Sequence, residues 1–284
     1  MNRYCFYHAG CPDGFGAAFA VWTVWGGDAK YVARGHDDDP LDATRYEGAH
    51  ATFVDMAPSN EEIRSLGEWI AGLTVLDHHV TARDRFESDP GVVALAEAAG
   101  YRVHFDLEHS GAMLAWQHFR EGEEPPPLLR YVEDQDLWAW QLPQSEEVNA
   151  AIASYPRSFE AWSKLIEKPI DELAEEGASI LRSNRIHVER SLSHTHLVRI
   201  GSKRIEAVNA TENKSSLGHA IAERARFGDR WACVYRLSGD RVNATLYSIG
   251  DLDVATVAVS LGGGGHKNAA GFSVKLEDWL ANYL

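Results

Sequence analysis

Short apolar segments that end in a carboxylate or a histidine alternate with helical segments in the first third of the chain. The apolar segments and the residues that end them are Arg3–His8, 51–54 with Asp55, and 73–76 with Asp77. Helical spacing of apolar residues separates these segments, from Gly14 to Trp25 and from Asn60 to Ala71. This alternation predicts an α/β fold, a mostly parallel sheet flanked by helices. Because ligands bind outside the carboxyl ends of such strands, we expect His8, Asp55 and Asp77 at one edge.

The chain is long enough for two domains, and its pattern changes twice along the 284 residues. We predict a metal-binding catalytic domain over residues 1–168 and a helical linker over 169–193. From residue 194 the pattern returns to short strands, with one helical stretch at 216–226. This pattern predicts a smaller C-terminal α/β domain over residues 194–284, which we expect to bind substrate.

The acidic charge of the chain excludes a protein that coats long nucleic acid. The formal net charge is −15, whereas binding along a duplex needs a positive surface that displaces counterions. The charge is concentrated in residues 1–193, which hold 16 Lys and Arg against 33 Asp and Glu, while residues 194–284 hold 11 against 9. An acidic metal-binding half joined to an anion-tolerant half fits this division, although ordinary surfaces also differ in charge by chance.

Three cysteines are too few for a disulfide framework and favour a reducing compartment. We see no apolar run long enough to cross a bilayer and no signal peptide. We therefore expect a cytoplasmic protein without a membrane partner.

The triplet Asp77-His78-His79 directly follows an apolar strand. Imidazole and carboxylate groups together suit a first-row divalent ion, and carboxylates readily bridge two ions. His8 and Asp13 stand in a tight loop between the first strand and the first helix. In the alternative interpretation, His8 only ends a strand and Asp13 only caps a helix.

Acids also occur in the amphipathic helical segment around Asp134 and Asp136. A carboxylate among apolar neighbours is costly unless it is paired or coordinated. A solvated helix face is the alternative, and we favour it for Asp136.

Near the C-terminus, four glycines at 262–265 precede His266 and Lys267. Glycines expose backbone N–H groups, which favours an anion site. A flexible linker is the alternative. We set it aside because a histidine and a stretch of small residues, read as the start of a helix, follow at once.

Taken in order, these motifs resemble the DHH phosphoesterases with their DHH-associated C-terminal domain, and the nanoRNase branch most of all. The resemblance implies a metal site with two Mn2+ ions, or Mg2+ or another divalent ion in their place. It implies that the metal ligands are His8, Asp13, Asp55, His78 and Asp134. It places His79 against the scissile phosphate, and we assign His79 together with Asp77 to catalysis. It implies that the far end of the substrate is held by Gly263, Gly264, Gly265 and His266.

The chain departs from the family pattern at two positions. Cys11 stands where the family has a first aspartate, and a thiolate is a poor ligand for Mn2+ or Mg2+. Three outcomes are open: Cys11 coordinates a softer ion, water takes the place of the missing carboxylate ligand, or Cys11 packs beneath the loop. We favour packing. Tyr247 stands where the family often has an arginine, which weakens the case for oligonucleotides but allows stacking on a base.

We expect a hydrolase that cleaves short oligonucleotides or dinucleotides to mononucleotides by metal-activated water. One alternative is an exopolyphosphatase or another phosphatase of small phosphorylated compounds. A second is a nucleotide-binding sensor whose metal site is impaired at Cys11. A homodimer is compatible with this sequence and is left open.

Overall fold

The computed structural model describes residues 2–35 and 38–284. Two compact units divide the chain, one reaching to Leu181 and the other beginning at Arg182. The division falls inside one long helix, Ile170–Ser191. The catalytic, linker and substrate-binding boundaries given above rest on function and remain predictions.

The first unit alternates strands and helices and then continues in helices only. Its elements are β1 Arg3–His8, α1 Pro12–Trp25, β2 Ala29–Arg34, β3 His50–Val54, α2 Asn60–Gly67, β4 Gly72–Asp77, α3 Val80–Glu87, α4 Pro90–Ala98, β5 Arg102–Phe105, α5 Gly111–Phe119, α6 Pro127–Asp136, α7 Ser145–Ser154, α8 Phe159–Leu165 and α9 Ile170–Ser191. In the described part of the chain the five strands form one parallel sheet in the order β2-β1-β3-β4-β5. The predicted α/β fold is confirmed.

Both faces of this sheet are buried, which explains the nearly continuous apolar strands. Neighbouring residues of β1 enter different cores: Cys5 packs with α1, α5 and α6, and Phe6 packs with α2 and its surroundings. Val54 and Phe53 of β3 divide in the same way. The sheet is therefore a rigid platform, and its carboxyl edge is held from both sides.

The three residues expected at the carboxyl edge of the sheet lie there. His8 ends β1, Asp55 directly follows β3, and Asp77 ends β4. These strands are adjacent, in the order β1-β3-β4. The strand-end prediction is confirmed for His8, Asp55 and Asp77.

The second unit is built on a mixed sheet. Its elements after α9 are β6 His196–Ile200, β7 Lys203–Asn209, α10 Lys214–Arg224, β8 Trp231–Ser238, β9 Arg241–Ser248, α11 Val254–Ser260, β10 Gly264–His266, β11 Ala269–Lys275 and α12 Leu276–Asn282. Among the described residues the six strands lie in the order β10-β11-β9-β8-β7-β6, and only β7 and β8 pair in parallel. The helix expected at 216–226 corresponds to α10.

The helix start expected after His266 is wrong, because Ala269–Lys275 forms the strand β11. Its residues pair with β9 from Ala269 opposite Tyr247 to Lys275 opposite Arg241. The small residues at 269–271 fit between two strands rather than beginning a helix.

Within residues 2–35 and 38–284, every helix is too short or too polar to cross a membrane.

Candidate metal centre

The first helix begins at the site and brings Asp13 into it. Cys11 is the N-cap of α1, and its sulfur accepts a hydrogen bond from Gly14 N at 3.2 Å. Asp13, in the first turn, is 1% exposed. Its carboxylate accepts hydrogen bonds from the backbone N–H groups of Gly111 at 2.7 Å and Ala112 at 3.0 Å. These donors belong to the N-terminus of α5, a favourable place for a negative charge. Two helices thus meet at one buried carboxylate.

Asp55 lies beside this junction in a conformation that side chains rarely adopt. Its φ is +55°, and its backbone N–H donates to Leu76 O at 3.0 Å. A Cβ atom on Gly111 would stand 2.4 Å from Asp55 Cβ and 2.7 Å from Asp55 Oδ1. Glycine at position 111 therefore allows α5 to begin directly against the Asp55 carboxylate.

Three carboxylates surround the imidazole of His78. Its Nε2 lies 3.1 Å from Asp55 Oδ1, 3.4 Å from Asp136 Oδ2 and 3.7 Å from Asp13 Oδ2. His78 and Asp55 are nearly inaccessible to solvent. The Oδ2 atom of Asp136 is also buried and accepts no hydrogen bond. Ligand atoms of Asp13, His78 and Asp136 lie close enough together to bind one cation.

The pKa values in this cluster show a shortage of positive charge. Burial opposes charge on His78, but its hydrogen bond with Asp55 and the charges of Asp55, Asp13 and Asp136 raise its pKa to about 10. Burial and the neighbouring carboxylates hold the pKa of Asp13 well above its usual range. A cation among these carboxylates would relieve the same repulsion.

A second group of ligand atoms lies on the other side of Asp55. Its Oδ2 is 3.4 Å from His8 Nδ1, and the Cys11 thiol donates to the same Oδ2 at 3.5 Å. Cys11 Sγ is also 3.4 Å from His8 Nδ1. Ligand atoms of His8, Asp55 and His79 are close enough to hold a cation together. The two oxygens of Asp55 therefore face two ligand sets, as a bridging carboxylate requires.

The expectation that Cys11 packs beneath the loop does not match these contacts. Its sulfur lies between His8 and Asp55, at the position where the family has an aspartate. Burial and the charges of Asp55 and Asp13 raise the pKa of the Cys11 thiol well above its usual range. Cys11 thus faces the candidate metal centre as a neutral thiol.

Asp77 orients His79. Asp77 Oδ1 lies 2.7 Å from Nδ1 of His79 and accepts a backbone hydrogen bond from His78 at 2.8 Å. Burial would lower the pKa of His79, but the charge and hydrogen bond of Asp77 raise it. A carboxylate on one ring nitrogen fixes the tautomer and the orientation of the imidazole. Asp77 therefore fixes the His79 ring beside His8 and Asp55 and favours its protonated form.

Asp134 is not brought to this group, although the resemblance placed it there. It is buried in α6, and its carboxylate accepts backbone hydrogen bonds from Gln141 at 2.8 Å and Leu142 at 3.3 Å. Asp136, two residues later, points toward His78 instead. Residues two positions apart on a helix lie on nearly opposite faces, so only one of these two acids can reach the centre.

The interpretation of Asp136 as part of a solvated helix face thus does not describe its position. A signal for it was present in the sequence, because Asp136 continues the apolar row of Leu129 and Val132 along α6. An acid on the apolar face of a helix is a better candidate for coordination than an acid beside that face.

Exchanging Asp136 and Asp134 separately for asparagine distinguishes their roles. Asp136→Asn should weaken Mn2+ binding by on the order of 10- to 100-fold or more, because an amide supplies no negative charge to the ion. Asp134→Asn should leave Mn2+ affinity within a factor of two to three, because its carboxylate binds only backbone. Isothermal titration of both variants with Mn2+ measures the difference. Equal losses in both variants, or a loss confined to Asp134→Asn, would return the ligand role to Asp134.

The glycine segment forms an edge hairpin of the second unit rather than a loop before a helix. Gly264–His266 pairs antiparallel with Ala269–Gly271. A Cβ atom on Gly263 would stand 1.9 Å from Gly271 O, and Gly265 has φ +140°. Close backbone approach thus requires glycine at these two positions, independently of any ligand. Substrate binding by Gly263, Gly264, Gly265 and His266 remains a prediction.

Tyr247 does not offer an open face to a base. Its ring packs against Gly218 of α10, where an added Cβ would stand 2.1 Å from the ring. It contacts the small apolar core under that helix, and burial raises the pKa of its hydroxyl. This tyrosine anchors α10 to the sheet.

Comparison with family models found no match for this chain. An uncharacterized protein, R106, of Acanthamoeba polyphaga mimivirus is 27% identical over 288 residues, which cover 94% of this chain and 66% of that protein. The chain thus spans slightly less than two thirds of the length of this relative.

Two solved structures resemble the chain over nearly its whole length. A pGpG-specific phosphodiesterase of Vibrio cholerae is 13% identical with a TM-score of 0.44, covering 99% of this chain and 96% of that one. An exopolyphosphatase-related protein of Bacteroides fragilis is 14% identical with a TM-score of 0.45, covering 99% of this chain and 89% of that one.

Proposed function

We propose that this protein is a DHH-type, metal-dependent hydrolase of phosphoester bonds. The observation that carries the proposal is the convergence of three carboxylates, two of them buried and one partly buried, on one buried histidine at the carboxyl edge of a parallel sheet. Asp13, Asp55 and Asp136 come from three different elements, and each has an oxygen within 3.7 Å of His78 Nε2. Packing alone gives no reason to gather three like charges at one largely buried position, because desolvation and mutual repulsion both cost free energy.

The donor set fits divalent metal ions. Asp13, Asp55, Asp136 and His78 form the set on one side. On the other side the ligand atoms of His8, Asp55 and His79 lie together, with the Cys11 thiol beside them. Carboxylate and imidazole donors suit Mn2+ and similar ions. The buried Asp136 Oδ2, which accepts no hydrogen bond, is an acceptor that a cation would satisfy. These residues would hold two Mn2+ ions, and Asp55 would contribute one oxygen to each ligand set.

The protein's own residues divide the chemical work. Divalent ions, when bound, neutralise charge on the phosphate and activate water. Asp77 holds the ring of His79 in place, so its other ring nitrogen could donate a hydrogen bond to a phosphate oxygen. The rigid carboxyl edge of the sheet keeps these groups in place before substrate arrives, which is where much of enzymatic rate enhancement originates.

We propose short oligonucleotides or dinucleotides as substrates, cleaved to mononucleotides. The net charge of −15 opposes association with long nucleic acid, whereas a substrate with few phosphates needs only a local cation site. We assign Gly263 to His266 to the far end of that substrate. A small phosphoanhydride such as polyphosphate is the alternative substrate.

A substrate panel tests the proposal. With Mn2+ present we expect hydrolysis of dinucleotides, slower cleavage of longer single strands, and complete loss of turnover in a chelator. Faster hydrolysis of polyphosphate than of any dinucleotide would show that polyphosphate, not a nucleotide, is the preferred substrate. Tight nucleotide binding in chelator, without turnover in Mn2+, would indicate a sensor.

Cys11→Asp restores the carboxylate that the family has at this position. The new carboxylate would stand where the sulfur now lies, 3.4 Å from His8 Nδ1 and 3.5 Å from Asp55 Oδ2. We expect the Mn2+ concentration for half-maximal activity to fall by on the order of 10-fold, because the ion gains a hard, charged ligand. Aspartate is also a good N-cap, so α1 should be retained.

Cys11→Ser is the matched control for this change. Serine keeps an N-cap oxygen but adds no charge, so its Mn2+ dependence should stay near that of the parent protein. An unchanged Mn2+ dependence in Cys11→Asp would show that position 11 contributes nothing to metal binding.

A further inference from the structure

We propose that Trp138 and Trp140 form a stacking platform for a nucleobase of the substrate, an inference that rests on the proposed function. The platform, defined as these two side chains, follows the candidate ligand Asp136 with one residue between it and Trp138. Because Trp138 follows Asp136 this closely in the chain, the proposal places the nucleoside of a phosphate bound near Asp136 against the two rings.

Both tryptophans stand in a backbone conformation that bulky residues avoid. Their φ angles are +56° for Trp138 and +52° for Trp140. Such outliers persist only where the surrounding structure enforces them, and they cluster at active sites and ligand clamps. Glycine and asparagine adopt this conformation at lower cost than tryptophan does.

Asp134 enforces this conformation. Its carbonyl oxygen accepts hydrogen bonds from Ala139 N at 2.9 Å and Trp140 N at 3.3 Å. Its carboxylate oxygens accept from Gln141 N at 2.8 Å and Leu142 N at 3.3 Å. One buried residue thus satisfies four successive backbone N–H groups and fixes the segment that carries both rings. The acid that is not brought to the metal centre holds the platform instead.

The rings have the exposure that stacking needs. Trp138 is 44% exposed, whereas Trp140 is half-buried. Their centroids are 5.0 Å apart at 78°, an edge-to-face contact. Trp140 therefore supports Trp138 from the side and limits the rotation of its ring.

A nucleobase is the ligand that this surface and its location select together. Base stacking on an aromatic side chain tolerates every base, because each has a π face. Polyphosphate has no ring to stack, so two supported tryptophans would contribute nothing to its binding. The platform thus favours the nucleotide substrate over the phosphoanhydride alternative.

Comparing Trp138→Ala on a dinucleotide and on its counterpart with one base removed tests the platform. We expect kcat/KM with Mn2+ to fall by about 5- to 150-fold on the intact dinucleotide, the loss that one stacked base implies. The loss should appear chiefly in KM, since the ring touches a part of the substrate that does not react. On at least one of the two singly abasic dinucleotides the same variant should match the parent protein, because no base remains there to stack.

Two variants separate stacking from damage to the fold. Trp138→Phe keeps an aromatic face and should recover most of the loss. Trp69→Ala removes a tryptophan of similar exposure, 38%, that precedes β4 at the opposite edge of the sheet. This variant should leave kcat/KM unchanged on the intact and the abasic substrates. Circular dichroism and Tm of each variant confirm folding.

Failure of the platform and failure of the proposed function have different signatures. If the parent protein cleaves no phosphodiester, the proposed function is wrong. The platform is then also wrong, unless a 5′-nucleotide binds the parent protein more tightly than it binds Trp138→Ala. If the parent cleaves dinucleotides but Trp138→Ala lowers kcat/KM equally on the intact and on both abasic substrates, the platform is overturned. A change in self-association with unaltered kinetics would overturn it in favour of a protein contact.

Discussion

Asp55→Asn should reduce dinucleotide hydrolysis by on the order of 10²- to 10³-fold or more, the loss typical when one preorganised charge-stabilising group is removed. Asp55 is the one side chain in the described structure that faces both ligand sets, with Oδ2 toward His8 and Oδ1 toward His78. An amide cannot present two anionic oxygens, so both sets lose a ligand at once. Asparagine tolerates a left-handed φ, so the backbone at +55° should be retained.

Titration with Mn2+ and steady-state kinetics measure this loss, and Asp84→Asn is the matched control. Asp84 is an exposed acid of α3 whose carboxylate accepts hydrogen bonds from Arg83. Its amide should bind Mn2+ and turn over like the parent. Normal metal stoichiometry and turnover in Asp55→Asn would show that Asp55 does not bridge two ions and would contradict the two-ion arrangement.

Gly111→Ala should destabilise the protein by about 1–3 kcal/mol, the range for overpacking a close contact, and should also suppress turnover. The added methyl would stand 2.7 Å from Asp55 Cα and 2.4 Å from its Cβ. Backbone atoms cannot rotate away, so α5 or Asp55 must move. Because Gly111 N also donates to Asp13 at 2.7 Å, the same movement disturbs a second candidate ligand.

Gly27→Ala is the control for the loss of glycine itself. A Cβ there would meet no atom within 4 Å, so stability and turnover should stay near the parent values. Chemical denaturation gives the free energy of unfolding, and a Mn2+ titration gives the metal affinity. Parent-like values of both in Gly111→Ala would show that the α5 junction is not rigid enough to position Asp55.

The strands that carry the site could be predicted from sequence because each is buried on both faces. Segments such as 51–54 are continuous apolar runs, and the polar residue that ends each run marks the sheet edge. The edge strands β2 and β5 were not predicted, because exposure on one side leaves Ala29–Arg34 and Arg102–Phe105 with mixed polar and apolar residues.

The details that sequence could not provide depend on contacts between distant residues. The choice between Asp134 and Asp136 is decided by the direction of α6 relative to His78, which helical periodicity suggests but does not determine. The position of Tyr247 under α10 depends on Gly218, 29 positions earlier in the chain. The antiparallel pairing of Ala269–Lys275 likewise depends on β9.

The crowding of three carboxylates around the buried His78 has a consequence for the lifetime of the protein. Under the proposed function, ions bind the folded first unit much better than the unfolded chain, since the ligands come from separate elements. Such binding contributes about 2.7 kcal/mol to the free energy of unfolding when free metal is 100 times Kd. Metal starvation would therefore enlarge the unfolded fraction that proteases attack. The abundance of the protein would follow the metal supply, in addition to its turnover.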